Sequence, residues 1–432
     1  MTIPALTVKI PTEFSEPSFR ADPYPVYALL RREAPVTCMK TAFGAESWLL
    51  TRYEDVISAL KDPRYSNDPK KQNVSGNVIN AWWMPRVFTI LENSMITSDD
   101  PVHKRLRNLV HMAFTPKRIE QIAGRIEQIT QELLDKAGQK NEIDLIRDFA
   151  LPLPLTVIMD LMGVPEKERM GFYRAVSPFL DSLAGHQFKI LLQYPNANYL
   201  MRFFQKMIAL RRADPQDDLI TALVQAEQAG DRLNEDELLS MIFLLLLAGH
   251  ETTVNLIGSG TLALLEHPTQ MQLLHDDPGM IERAIEELLR YTSPLEHSTS
   301  RYAMEDVTLH GVTIPKNSTV LLVIASANRD ETVFENADQL DLNRNPNRHV
   351  SFGLGIHFCL GAPLARLEGK IGINALIQRF PDMKLTIQPE QVAWRSAVAV
   401  RGVKSLPVRL NRIFLFPNSK SLPFLPFSPK IN

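Results

Sequence analysis

The feature that most constrains this chain is the stretch F-G-L-G-I-H-F-C-L-G at residues 352–361, which runs directly into A-P-L-A-R-L-E-G-K-I-G-I-N-A-L, the start of a helix. Three glycines, two phenylalanines and a histidine crowd one cysteine, Cys359. A lone cysteine is most often a small buried hydrophobe. A zinc site needs companions at ligand spacing, and no C-x-x-C is present. A nucleophilic cysteine needs a base, for which His357 is the candidate at hand. The glycines favour a further reading. Gly353, Gly355 and Gly361 let the backbone pass close to something large and flat. A thiol at a helix N-terminus is stabilised as thiolate by free N–H groups and the helix dipole. Such a thiolate is a good axial ligand for haem iron.

Composition frames that segment. Of 432 residues, 45% are hydrophobic and 22% charged, ample for a large core. A formal net charge of −2 argues against a nucleic-acid binder that relies on bulk positive charge. With 2 cysteines, Cys38 and Cys359, no disulfide framework is implied and a reducing, cytoplasmic setting is expected. The N-terminal residues lack a signal-peptide core or an anchor helix. The apolar run at 238–248 is short for a bilayer span and meets Gly249, His250 and Glu251 at once, so it reads as a buried core helix.

Along the chain, a proline-rich opening (Pro11, Pro17, Pro23, Pro25) is expected to wrap the surface. V-T-C-M-K and S-W-L-L-T read as a short β-hairpin, followed by a helix at Y-E-D-V-I-S-A-L-K. Residues 66–100 have no regular pattern, and so long a loop is usually functional. Helical signals then dominate to about Arg290. D-D-P-V-H-K-R-L-R puts acids ahead of a first-turn proline. Ile119, Ile122, Ile126, Ile129 and Leu133 describe one amphipathic helix. Strand-like pieces return at D-V-T-L-H-G-V-T-I-P and S-T-V-L-L-V-I-A-S-A, and short strands finish near Leu410. The fold class is mainly α with a smaller β portion. Residues 411–432, rich in Pro and Phe, are expected to form a poorly ordered tail after a single domain over 1–410.

The segment around Cys359 resembles the haem-binding loop of the cytochrome P450 family: Phe, two residues, Gly, then His or Arg, and Cys followed two later by Gly. Here these are Phe352, Gly355, His357, Cys359 and Gly361. The resemblance implies the P450 fold, with haem b between a long distal helix and a proximal loop and helix carrying Cys359. In that family the cysteine thiolate holds the iron and pushes electron density toward O–O cleavage.

Other segments carry the same resemblance. A-G-H-E-T-T, residues 248–253, matches the distal acid–alcohol pair. Glu251 and Thr252 would relay protons, while Ala248 and Gly249 are small and leave room beside the haem. Read from the residues alone, these are back-bonded threonines in a helix interior, with Glu251 beside an apolar run and without an evident local partner. E-E-L-L-R places Glu287 and Arg290 one turn apart, and Arg344 in D-L-N-R-N-P is the candidate third member of a structural lock. His103 and Arg107, four apart on one helix face, with Arg301 and His357, match the family's haem-propionate contacts; carboxylates need such cationic partners. Alone, H-K-R-L-R reads as a basic surface helix.

The resemblance implies a monooxygenase placing one oxygen atom of O2 into a lipophilic organic substrate by hydroxylation or epoxidation. It matches the bacterial branch acting on macrolides, polyketides, terpenoids, steroids or fatty acids. Electrons would come from a ferredoxin or flavodoxin with its reductase, since the chain has no flavin domain and no iron–sulfur cysteine set. Lys104, Arg105, Arg366 and Lys370 are candidate docking charges, the alternative being scattered solvated charges. The substrate pocket would draw on Trp82, Trp83, Phe179, Leu183, Leu245, Leu295, His297 and Val398. A haem-thiolate sensor without turnover is the alternative function, against which Glu251 and Thr252 argue. A cofactor-free helical protein is the third reading, which the coincidence of motifs opposes.

Overall fold

Strands from residues 36–66 and 301–322 share one sheet, and that mixing places everything else. The computed structural model describes residues 16–40, 46–72, 90, 94–183, 192–228, 230–395 and 399–410. Val36–Lys40 and Glu46–Leu50 form the expected antiparallel hairpin, with Cys38 opposite Trp48. Thr319–Leu322 then pairs parallel to Glu46–Leu50, Arg301–Ala303 antiparallel to Thr319–Leu322, and Tyr65–Ser66 closes the edge. One apolar face of this sheet, including Val36, Leu50, Val320 and Leu322, packs with Val56 and Ala59 of the Tyr53–Ala59 helix. A smaller three-stranded sheet joins Glu142–Asp144, Lys384–Leu385 and Pro407–Arg409.

The remainder is a helical body around Glu235–Glu266. This central helix starts on a capping box: the Asn234 side chain accepts the Glu237 N–H at 3.0 Å and the Glu237 carboxylate accepts the Asn234 N–H at 2.9 Å. Glu235, Asp236 and Glu237 add negative charge where the helix dipole favours it. By length and composition the helix would suffice to cross a membrane, yet 61% of its most apolar window is buried inside the molecule. It packs against Pro152–Leu161, Ile281–Thr292 and Ala362–Arg379.

Two expectations need correction here. The isoleucine stripe spans two helices, Pro116–Gln121 and Ala123–Ala137, because Ile122 at ψ −8° turns the chain between them. Ile119, Ile126 and Ile129 are nevertheless all buried in the same core. The apolar run after Thr319 is not one strand: it ends at Leu322 and turns into the short helix Ile324–Ala327, held where Ser326 Oγ donates to the Thr51 carbonyl at 2.8 Å. The 411–432 tail and most of the 66–100 loop lie outside the described residues.

The lock at Glu287 and Arg290 is fully buried. Arg290 Nε and Nη2 each lie 2.8 Å from the Glu287 carboxylate, and its other donors reach the carbonyls of Asn328, Ala337 and Gln339. Arg344 Nε completes it at 3.1 Å from Glu287, and Asn347 donates to the same carboxylate at 3.1 Å. Every charge is paired and hydrogen-bonded, the condition for tolerating a buried ion cluster. It fixes the 337–347 segment that leads into the cysteine loop.

Candidate active site

Cys359 sits on a turn that its glycines make possible. Gly353 and Gly355 have φ of +65° and +73°, the left-handed region that side chains resist. A Cβ on Gly355 would also meet the Leu60 carbonyl oxygen at 3.0 Å. The loop then closes on itself: Cys359 N–H donates to the Phe352 carbonyl at 2.9 Å, and the helix Ala362–Arg379 begins three residues after the cysteine. A Cβ on Gly361 would lie 3.9 Å from Sγ, in ordinary van der Waals contact with it. Burial pushes the Cys359 thiol up, while the Gly361 N–H, Arg107, the Ala362 N–H and Arg366 all pull it down.

Nitrogen-bearing side chains gather around His357, two residues before this sulfur. Arg107, on the helix Val102–Ala113, donates from Nη2 to the Phe358 carbonyl at 2.8 Å. The His103 and His357 rings lie 4.2 Å apart. Burial, then the neighbouring charges of His103 and Arg301, push His357 down to about 3. Burial lowers His103 and Arg107 as well, and brings Arg301 down to about 10. Arg301 Nη1 donates to the Asn67 side-chain oxygen Oδ1. Arg301 Nε and the Nε2 atoms of His103 and His357 are buried and have no hydrogen-bond partner among the described residues. Buried donors of this kind cost free energy unless something outside the polypeptide meets them. A bulky dianion beside a sulfur ligand is what the set accommodates, and haem with its two propionates has that chemistry. The residues present therefore fit haem.

On the central helix, Ala248 and Gly249 are exposed on an otherwise mostly buried element. Thr252 Oγ1 donates to the Ala248 carbonyl at 2.8 Å and Thr253 Oγ1 to the Gly249 carbonyl at 3.0 Å, so both threonines are back-bonded within a continuous helix. Glu251 departs from expectation: its Oε1 faces Arg395 Nη1 at 3.7 Å. The acid therefore has a cation beside it. Sequence reasoning missed Arg395, although it is the one charged residue within 392–400, V-A-W-R-S-A-V-A-V.

The remaining candidates divide. Leu245 and Leu295 are half-buried, and Leu295 bridges to Val400. His297 is 1% exposed, with Nε2 3.5 Å from Tyr27 Oη. Trp82, Trp83 and Val398 lie outside the described residues, as do the side chains of Phe179 and Leu183. Three of the four docking candidates are already paired within the molecule. Arg366 bonds Glu286, Lys370 bonds Glu282 at 2.7 Å, and Arg105 bonds Asp231 and Glu237. Lys104 is exposed, and no acid among the described residues pairs with it.

Comparison with known proteins agrees with this site. The family model "Cytochrome P450" matches residues 46–278 and 279–396, and the chain belongs to that family. It is accordingly a haem-thiolate monooxygenase, which binds haem b, takes electrons from a separate redox partner and oxygenates a small lipophilic substrate. Among its relatives, the polyketide biosynthesis cytochrome P450 PksS of Bacillus subtilis is 45% identical over 406 residues, 91% of this chain and 97% of the relative. Its solved structure superposes with a TM-score of 0.86 at 44% identity, covering 92% of this chain and 99% of that one. The 6-deoxyerythronolide B hydroxylase of Saccharopolyspora erythraea is 43% identical over 400 residues, 91% of this chain and 97% of the relative. The tirandamycin C-bound monooxygenase TamI has a TM-score of 0.82 at 40% identity, covering 93% of this chain and 100% of that one.

Proposed function

We propose that this monooxygenase hydroxylates or epoxidises a polyketide- or macrolide-like lipophile, with Cys359 as the residue that would hold its haem iron. The observation that carries the reading is the place of the Cys359 sulfur, on a glycine turn three residues before a helix; the Gly361 and Ala362 N–H groups and Arg107 act on it, but burial outweighs them and leaves the thiol raised, so a metal ion is what would hold it ionised. When bound there, haem supplies the activation of O2, assisted by the electron push of the thiolate. His103, Arg107, Arg301 and His357 would hold the propionates, and the small Ala248 leaves clearance on the distal side. Phe352 and Gly361 shape the wall around the sulfur.

Thr252 Oγ1 spends its own proton on the Ala248 carbonyl, which leaves its lone pairs to accept a hydrogen bond and so to hold a proton donor in place. Glu251, the preceding residue, supplies the ionisable group of the relay. Thr252→Ala is expected to retain haem but to divert electrons away from product. Substrate-class support comes from the relatives named above and from the apolar character of Leu245 and Leu295. A ferredoxin or flavodoxin with its reductase is the proposed electron source, approaching by the face that carries Lys104. We place the protein in the cytoplasm, supported by the burial of its most apolar helix. Residues 1–410 are proposed as one domain, supported by the sheet that joins residues 36–66 to 301–322.

The test is the ferrous–CO spectrum of purified Cys359→Ala beside the parent. The thiolate-type band is expected in the parent and absent in the variant; its persistence in the variant overturns the assignment. A panel of macrolides, polyketides, steroids and fatty acids, screened by haem spin-state shift, then tests the substrate class.

A further inference from the structure

Arg366 lies on the helix that follows Cys359, yet its guanidinium is turned inward and held on both edges. Nε is 2.7 Å from Glu286 Oε1 and Nη2 is 2.8 Å from Oε2, a bidentate pair. His349 Nε2 lies 3.0 Å from the same Oε2. His349 Nδ1 accepts the Ser351 N–H at 3.2 Å, so Nε2 carries the proton and donates it to Glu286. Burial pushes the Glu286 carboxyl up, but Arg366 and His349 outweigh it and hold the group at about 2. The face of the guanidinium lies 4.4 Å from the centroid of the Phe352 ring. Phe352 is the residue whose carbonyl receives the Cys359 N–H. Three elements, the helix Ile281–Thr292, the 349–352 turn and the helix Ala362–Arg379, therefore converge on the ring whose backbone holds the cysteine.

We propose that Arg366, clamped by Glu286 and His349, is a positioning residue that acts through Phe352 on the Cys359 ligand and sets the reduction potential of the iron it holds. Outer partners of a metal ligand commonly tune the metal in this way. The sign follows from charge. Reduction adds an electron to the iron–sulfur unit, so a guanidinium near the sulfur favours the reduced form and a bare carboxylate disfavours it. This inference rests on Cys359 being the haem ligand.

The experiment is an equilibrium redox titration of the purified holoprotein with dithionite and mediator dyes, without any redox partner, alongside ferrous–CO spectra. Parent, Arg366→Gln, Glu286→Gln and the double variant are compared. R366Q leaves the Glu286 carboxylate without its guanidinium, and its potential is expected to move to more negative values. E286Q leaves the guanidinium uncompensated, and its potential is expected to move to more positive values. The double variant is expected between the two. Arg366→Lys, which keeps the charge but loses the fork and the stacking face, is expected between R366Q and the parent and serves if R366Q does not fold. Unchanged potentials in both single variants, with only partner-driven reduction slowed, assign Arg366 to docking and overturn the proposal. Shifts of the same sign in both, with loss of the thiolate-type band, mark a purely structural role and also overturn it. If the parent itself lacks that band, it is the ligand assignment that has failed.

Discussion

Glu251 and Arg395 face each other at 3.7 Å, the one on the central helix and the other near the chain's C-terminal end, each with a side chain 14% exposed. Arg395 is fixed through its backbone: its N–H donates to Gly402 at 3.0 Å and its carbonyl accepts Arg20 Nε at 3.2 Å. Arg20 in turn pairs with buried Glu296 and donates to the Val400 carbonyl at 2.8 Å. The cation opposite Glu251 is thus held in place by the segment that carries Arg20.

Arg395→Gln is expected to lower product formed per electron consumed by roughly five-fold, corresponding to about 1 kcal/mol for an incompletely buried pair. The ferrous–CO spectrum should be unaltered. Product yield set against electron and O2 consumption checks this, and unchanged coupling would show that the pair plays no part in the relay.

Arg290→Ala breaks a cluster in which Glu287 is 0% exposed and shared by Arg290, Arg344 and Asn347. Leaving that carboxylate without its main counter-charge is expected to cost about 3–5 kcal/mol of stability. Urea denaturation of the holoprotein measures it; a loss below 1 kcal/mol, on the scale of a surface pair, contradicts the buried-lock reading.

Two buried groups are expected to give stability opposite pH dependences between about pH 4 and 8. Burial lowers His250 from 6.5 to about 4, so it is neutral in the fold and takes up its proton on unfolding. Its contribution is complete above pH 6.5 and is lost as the pH falls toward 4. Burial raises Glu368 from 4.5 to about 8, so the folded protein keeps it protonated. That contribution is complete below pH 4.5 and is lost as the pH rises toward 8. The first is worth about 3 kcal/mol and the second about 5 kcal/mol. His250→Gln should flatten the stability-against-pH curve between about 4 and 6.5 and Glu368→Gln between about 4.5 and 8; parallel curves for parent and variants would refute the assignment.

Lys104→Glu is expected to slow electron delivery from an acidic partner several-fold at low salt, with the difference shrinking as salt is raised. Lys370→Glu is the control, since Lys370 already spends its charge on Glu282. Stopped-flow reduction at two ionic strengths separates them, and equal effects would mean that docking does not use the Lys104 face.

How much of this was legible in the sequence follows from how local each signal is. The cysteine turn is encoded within ten residues, so glycine placement and the helix start were readable. The pairing of Glu287 with Arg344 was accessible only through the family resemblance, because 57 residues separate them. Arg395 opposite Glu251 was not legible, since nothing in either segment names the other. The same holds for Arg366, whose basic side chain on a helix gives no sign that Glu286 and Phe352 enclose it. The split isoleucine stripe shows the limit of periodicity: it reported correctly which side is buried, but not that Ile122 bends the path.

The sheet has a consequence for biosynthesis. The open edge of Glu46–Leu50 pairs with Thr319–Leu322, a segment that leaves the ribosome only after most of the chain has been made. Until then a nascent chain carries a hairpin with an unsatisfied, apolar-flanked edge, which is a template for association between chains. Messages truncated before that segment should therefore yield insoluble product, whatever the quality of the helices already formed.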